Sequence, residues 1–332
     1  MVVLVRYSEI GLKGGNRNIF EKKLIDNMRS CLTRNKVKFC AIKNLFGRIF
    51  VETEERCECL RCIFGISSFS PAIDAGQTMD SAKKASEKLI QKLKKKMTFR
   101  VSCQRLDKSF PFDSQEFERE LGAFVVDKKG NRARMKGFDF ELAAELIQGR
   151  IYLFTERIAG QGGLPVGVEG KVIAIIEKEN DLLAALLMLK RGCAVIPAVK
   201  EAAFAVLTKS GSFSLPRKKR GEEKISLEKQ VGLSLINDAR QPNLLFAGQD
   251  RQRQSGLDLL EKFGSREKPI LIKKLSELDE LAEKSGAKAV VSGQTLENFK
   301  ELKLKTETLR PLIAYDENEI KKQLEHFRKE IC

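Results

Sequence analysis

Four groups of residues have the reactivity or charge to do chemistry. The first is the triplet Cys57, Cys59 and Cys62 in Arg-Cys-Glu-Cys-Leu-Arg-Cys. Three thiolates at this spacing could hold a metal ion or an iron–sulfur cluster with one outside ligand. No second cysteine pair lies nearby in sequence, however. A short helix running into Ile63-Phe64-Gly65-Ile66 would use cysteine as a small apolar residue, and that reading is adopted, with no metal expected. The second is His326, the single histidine, set among Lys322, Glu325, Arg328 and Lys329. That setting describes a solvated helix position, so nucleophile–histidine catalysis is not expected. The third is the acidic stretch Glu177-Lys178-Glu179-Asn180-Asp181, between an apolar run and an apolar helix. The fourth is the excess of lysine and arginine.

That excess is +16 over 332 residues, and it is uneven. Residues 1–100 hold 21 Lys and Arg against 10 Asp and Glu, residues 101–164 balance to zero, and the rest adds +5. A basic excess at one end suggests a localised polyanion surface, with a generally charged, basic exterior as the alternative. The eight cysteines are scattered without a framework, which suits a reducing compartment. The longest apolar stretches, such as 182–189, fall short of the roughly 20 residues of a membrane span. The start, Met-Val-Val-Leu-Val-Arg, lacks the order of a signal peptide. The expectation is a cytoplasmic chain with no membrane partner.

The elements that must position these residues follow from apolar periodicity. A strand at 2–7, a helix at 17–34, strands at 37–42 and 47–53, a short helix at 55–63 and a strand at 66–73 give the order β-α-β-β-α-β of a ferredoxin-like unit. A second unit follows. Its amphipathic helix at 80–97 has Lys88, Lys92, Lys94, Lys95 and Lys96 outside, and leads to a strand at 98–105 and a helix at 114–127. Strands at 139–147 and 150–157 then pair around Gln148-Gly149. Gly160-Gln161-Gly162-Gly163-Leu164-Pro165-Val166-Gly167 reads as a linker. Beyond it, strands at 172–176, 193–198, 243–247, 269–273 and 288–292 alternate with helices, one at 181–191, which argues for a parallel α/β sheet. Residues 208–226, with Arg217-Lys218-Lys219-Arg220, read as an exposed loop.

Three stretches resemble the tRNA 4-thiouridine sulfurtransferase family. They are Arg6-Tyr7-Ser8-Glu9-Ile10-Gly11-Leu12-Lys13-Gly14 with Asn16-Arg17 and Phe20-Glu21; residues 99–167, including Arg105, Asp107-Lys108-Ser109-Phe110-Pro111-Phe112 and Thr155-Glu156-Arg157; and Gln294-Thr295-Leu296-Glu297-Asn298 with Leu309-Arg310-Pro311-Leu312-Ile313. They run in order over nearly the whole chain. The resemblance implies an α/β protein with an α+β N-terminal half. Its parts would be a ferredoxin-like domain at 1–75, a THUMP RNA-binding domain at 76–161, and a Rossmann-like PP-loop parallel-sheet domain at 168–332. In this family the first two domains bind tRNA, largely at its acceptor end. The third adenylates a uridine and replaces its oxygen with sulfur.

Phosphate contacts need lysine, arginine and free backbone amides. The RNA-binding candidates are therefore Arg6, Lys13, Arg17, Lys92, Lys95, Arg105, Lys108 and Arg157. Arg6 and Arg105 have an alternative role, tying the domains together through acids such as Glu9 and Asp107. With few aromatics, shape and backbone recognition is expected rather than base stacking.

The third domain departs from the family. A PP-loop is Ser-Gly-Gly-x-Asp-Ser, whose amides close around pyrophosphate. The matching segment here is 177–181, which has lost both glycines and carries three carboxylates. Asn180 or Asp181 can cap the following helix and so fill the anion site. Sulfur transfer also needs a reactive thiolate. The domain offers only Cys193, in a strand expected to be buried, and Cys332. No catalytic residue is assigned and no cofactor is expected; ATP with Mg enters only if the altered loop still binds it. The reading is an accessory tRNA-binding protein of tRNA thiolation, with a catalytic thiolation partner and, as is common in the family, a homodimer. The alternatives are a divergent active 4-thiouridine synthase and a protein that docks an acidic protein partner.

Overall fold

The computed structural model describes residues 1–45, 47–106, 110–111, 113–200 and 256–329. The strand expected at 243–247, the loop at 208–226, Asp107-Lys108-Ser109, Phe112 and Cys332 lie outside them. Among the described residues the strands form two sheets, one of eight strands and one of five.

The first sheet begins with β1 (Val2–Arg6), β2 (Ala41–Leu45), β3 (Arg48–Glu52) and β4 (Ser68–Asp74), in the order β2-β3-β1-β4 with every pair antiparallel. Helix α1 (Arg17–Arg34) crosses between β1 and β2, and a 3-10 turn (Glu58–Cys62) precedes β4. This is the expected ferredoxin-like unit. The sheet continues through β4 into β7 (Arg150–Phe154), β6 (Phe140–Ile147) and β5 (Phe99–Arg105). A short β8 (Ile158–Ala159) returns to β4. Helices α2 (Met79–Leu89) and α3 (Ser114–Lys129) cover β5–β7. Gln148 and Gly149 both have positive φ (51° and 68°) and turn β6 into β7, the geometry a tight hairpin requires.

Period-two alternation gives each strand two apolar faces. Val3 and Val5 pack on α1; Leu142, Ala144 and Leu146 pack beneath α2 and α3. The opposite faces meet each other, with Val2, Leu4, Phe50 and Ala72 in one cluster with Ala143, Ile147, Tyr152 and Phe154. The sheet therefore folds on itself, and the two N-terminal units share an apolar seam.

The helix expected at 80–97 is shorter than its pattern suggested. It ends in a 3-10 turn (Ile90–Lys92), and Leu93 is already extended. Lys96 then takes a positive φ of 75°. The stretch 160–167 is also less of a linker than its glycines suggested. Gly65 N donates to Gly162 O and Gly162 N to Ile66 O, both at 2.7 Å, and Leu164 N donates to Lys190 O at 2.9 Å. A Cβ on Gly163 would lie 2.3 Å from Lys190 O, so glycine there permits a close backbone approach.

The second sheet is parallel throughout, in the order β11-β10-β9-β12-β13. Its strands are β9 (Lys171–Ile176), β10 (Ala194–Lys200), β11 (Ile270–Ile272), β12 (Val290–Val291) and β13 (Thr308–Leu309). Helix α4 (Glu179–Lys190) is apolar nearly all round, which marks a helix covered on several sides. Leu182, Leu183, Leu186 and Leu189 are buried in one cluster with residues of α5 (Gly256–Lys262) and α7 (Glu317–Lys329). Helix α6 (Glu277–Ser285) packs against the other face.

Candidate functional site

Arg6 is the candidate that the structure moves furthest from expectation. It shares a strand face with Val2 and Leu4 and is buried in the seam, at 5% exposure. Its Nε donates to Glu145 at 2.6 Å and its Nη1 to Ser70 at 3.0 Å. Arg48 Nε donates to the other Glu145 oxygen at 2.7 Å. Glu145 is fully buried, one carboxylate between two guanidiniums. This overturns the placement of Arg6 on an RNA-binding surface. It takes the tying role instead, with Glu145 as partner in place of Glu9. Burial lowers the Arg6 pKa, and Glu145 opposes that shift. Phe154 lies beside the pair, with the Arg6 guanidinium 4.8 Å and the Arg157 guanidinium 5.9 Å from its ring. Arg157 itself is exposed.

Lys13 and Arg17 flank two 3-10 turns (Glu9–Leu12 and Gly14–Asn16) that lead into α1. Arg17 donates to Glu21 at 2.6 Å and to the Tyr7 hydroxyl at 2.7 Å. The Tyr7 hydroxyl and Asn44 also donate to Glu21, the latter at 2.5 Å. Burial would raise the Glu21 pKa, but these three donors hold it below the usual value. Burial, then the Glu21 bond, pushes Tyr7 up to about 12. The Glu21 hydrogen bond raises Arg17. Arg17 is thus a half-exposed cation fixed in position. Lys13 lies 4.8 Å over the Phe20 ring and 3.6 Å from Glu169.

Lys92 and Lys95 are exposed and make no ion pair among the described residues. They sit on the turn after α2, which a distant residue holds: Asn131 Nδ2 donates to Lys94 O at 2.9 Å and Met97 O at 2.8 Å. Arg134 N donates to Phe99 O at 2.8 Å, and Phe99 N to Arg132 O at 3.1 Å. Lys94, Lys96, Arg132, Arg134 and Lys136, exposed as well, therefore join Lys92 and Lys95 in one basic cluster. The second half of that cluster was absent from the sequence candidates. Its signal was the alternating run Arg132-Ala133-Arg134-Met135-Lys136 after a helix-ending Gly130, which is in the left-handed conformation (φ 67°). Arg105 ends β5, half-exposed, and Lys108 is outside the described residues.

The loop between β9 and α4 behaves differently. Asp181 turns back over the helix start and accepts from Glu177 N at 3.0 Å, Lys178 N at 2.9 Å and Gly293 N at 2.8 Å. Two further carboxylates are engaged, Glu177 with Lys200 at 2.5 Å and Glu179 with Arg328 at 2.7 Å. Burial raises the Asp181 pKa, against the pull of the three amides. A Cβ on Gly293 would lie 2.5 Å from Asp181 N, so the segment after β12 presses directly on the helix start.

The thiols occupy packed positions. Cys57 is buried in the α1 core, Cys59 packs against that core, and Cys62 packs against the C-terminal one. Cys31 Sγ donates to Cys59 O at 3.5 Å. Among the described residues no group of three His, Cys, Asp or Glu is placed to hold a metal ion. Burial raises the Cys57 thiol to about 11 and raises Cys193 as well. His326 is exposed on α7. No helix among the described residues is long and apolar enough to cross a membrane.

A ferredoxin-like unit fused through one sheet to a second α+β unit, followed by a parallel α/β sheet, defines the class of protein. Residues 2–70 match the family model of the ThiI ferredoxin-like domain and residues 76–156 that of the THUMP domain. The probable tRNA sulfurtransferase of Thermococcus kodakarensis is 30% identical, over 96% of this chain and 85% of that protein. The one from Mycoplasmopsis synoviae is 28% identical, over 96% and 82%. Among solved structures, PH1313 from Pyrococcus horikoshii Ot3 superposes with a TM-score of 0.76 at 28% identity, over 98% of each chain. A 4-thiouridine synthetase solved as an RNA complex with bound ATP superposes with a TM-score of 0.70 at 23% identity, over 99% of this chain and 86% of that one, and shares the fold. The chain belongs to the tRNA sulfurtransferase family.

Proposed function

We propose that this chain binds tRNA through the exposed cations of its first two domains and serves tRNA thiolation without holding ATP at the β9–α4 loop. The relatives' name, tRNA sulfurtransferase, and the THUMP match support the tRNA part. A synthetase of the same fold was solved with RNA. Phosphate recognition would fall to Lys92, Lys95, Arg132 and Arg134, joined by Arg17, Lys13 and Arg157; Arg105 and, on its sequence alone, Lys108 are further candidates.

One observation carries the second part. Two amides just before α4, of Glu177 and Lys178, and the Gly293 amide after β12, which could receive an anion, already donate to Asp181. A triphosphate would have to displace a carboxylate that is covalently part of the helix, beside Glu177 and Glu179. The residues present do not fit ATP with Mg at this loop. Adenylation would then belong to a partner or to a composite site.

The second reading, a divergent active synthase, is favoured by the retained Gln294-Thr295-Leu296-Glu297-Asn298 segment, which reaches the loop through Gly293. Binding of tRNA across a salt series tests the first reading. Tight binding that weakens steeply with salt, with little tRNA-dependent ATP turnover, supports it. Steady turnover would establish the synthase. Affinity no better than for heparin would remove tRNA as the ligand.

A further inference from the structure

The segment after β12 leaves apolar surface in water where a folded chain would ordinarily cover it. Leu296 is 73% exposed and Phe299 56%. Among the described residues Phe299 is the one Phe or Tyr in the exposed class; every other described Phe and Tyr is buried or half-buried. The ring is also held. Arg310 lies with its guanidinium 4.8 Å from the Phe299 centroid. Arg310 is fixed in turn, with Nε donating to Gln294 Oε1 at 2.9 Å and Nη2 to Lys300 O at 3.5 Å. The backbone beneath is tied by Thr295 N to Asn298 Oδ1 at 2.8 Å and Leu296 N to Ile313 O at 3.1 Å.

An arginine over one face of a half-covered ring leaves the other face to solvent. A flat ring of this size, with one leucine beside it, is far too small for a stable protein interface, which needs on the order of 1,000 Å². It matches the area of one planar base. Aromatic rings with a neighbouring guanidinium are the surfaces on which unstacked nucleobases settle. The charge suits RNA as well: Arg310 backs the ring, and the exposed Lys300 and Lys303 follow it in sequence, with Glu297 and Glu301 as the acids on the same segment. The patch lies at the carboxyl edge of the parallel sheet, where such folds bind ligands, next to the loop that Asp181 fills.

We infer that Phe299, backed by Arg310, is a stacking platform for a single unpaired nucleobase of a bound RNA. This rests on the tRNA reading above and revises the expectation of little base stacking for this one position.

The test uses the full chain and two RNA hairpins that differ only in one unpaired 2-aminopurine, present in the first and paired in the second. The platform predicts fluorescence quenching of the unpaired base on binding. Phe299→Ala should abolish the quenching and weaken binding of the first hairpin about tenfold, with little effect on the second. Phe299→Tyr should retain both, which separates stacking from misfolding. Equal quenching by Phe299→Ala overturns the platform, as does the absence of quenching by the unaltered chain when tRNA still binds; the tRNA reading then stands. If the unaltered chain binds no tRNA, both fall. A concentration-dependent dimer lost in Phe299→Ala would assign the patch to a second copy and overturn the inference.

Discussion

Both halves of the molecule set a carboxylate among several donors, with opposite consequences. In the N-terminal half Glu145 gathers Arg6 and Arg48 inside the seam. That pairing consumes two cations internally and leaves Lys92, Lys95, Arg132 and Arg134 outside, facing water. In the C-terminal half Asp181 takes the Glu177 and Lys178 amides just before α4, and the Glu177 and Glu179 carboxylates are paired beside it. In the proposed function one half keeps open charge for an outside anion, and the other supplies the anion itself. A family fold shows where ligands can bind, while the side chains decide whether the place is free.

The comparison can be broken at each carboxylate. Glu145→Ala should have the largest effect, since it strands Arg6 and Arg48 without a counter-charge. The expected loss is about 3–5 kcal/mol in urea unfolding, from breaking a buried pair on one side. A loss below 1 kcal/mol would mean that water enters the seam. Next comes the basic cluster. Replacing Lys92, Lys95, Arg132 and Arg134 by alanine should lower tRNA affinity about 10- to 100-fold and flatten the salt slope by roughly three, leaving unfolding midpoints unchanged. Asp181→Ala should cost about 1–2 kcal/mol, as three amides lose a charged acceptor. If it also gave the chain millimolar affinity for inorganic triphosphate, the carboxylate would be confirmed as the occupant.

The smallest effect sharpens the picture at Arg17. Donors from Tyr7, Arg17 and Asn44 hold the Glu21 pKa below the ordinary value of 4.5, so the unfolded chain binds the proton more readily. The stability Glu21 contributes is complete above that value and is lost as pH falls through the folded pKa. The gap between the unaltered chain and Glu21→Gln, of order 1 kcal/mol near neutral pH, should therefore close on acidification. A gap independent of pH would remove the ionised Glu21 from the network.

Local chemistry was legible in the sequence and long-range contact was not. The helix at 17–34 and the turn at Gln148-Gly149 follow from periodicity and turn residues. The engagement of Asp181 at the helix start follows too, although the helix begins at Glu179 and Asp181, its third residue, reaches back to the Glu177 and Lys178 amides instead of capping from in front. The same period of two that made β1 a strand also puts Arg6 on the face of Val2 and Leu4. What it cannot show is Glu145, 139 residues away, waiting on the other side of the fold. The helix expected to reach residue 97 stops at Leu89, and the turns beyond it are held by a distant residue, Asn131, which donates to the Lys94 and Met97 carbonyls. The C-terminal half of the basic cluster was missed for the same reason. The role of Gly293 likewise depends on the sheet bringing β12 beside β9.

A β9–α4 loop already occupied by Asp181 should have no room for a nucleotide. Calorimetric titration of Mg-ATP into the full chain, alone and with bound tRNA, tests it most directly. No saturable heat is expected up to millimolar ATP in either case. Micromolar binding that Asp181→Ala strengthens or abolishes would contradict it, and would make this loop a working nucleotide site.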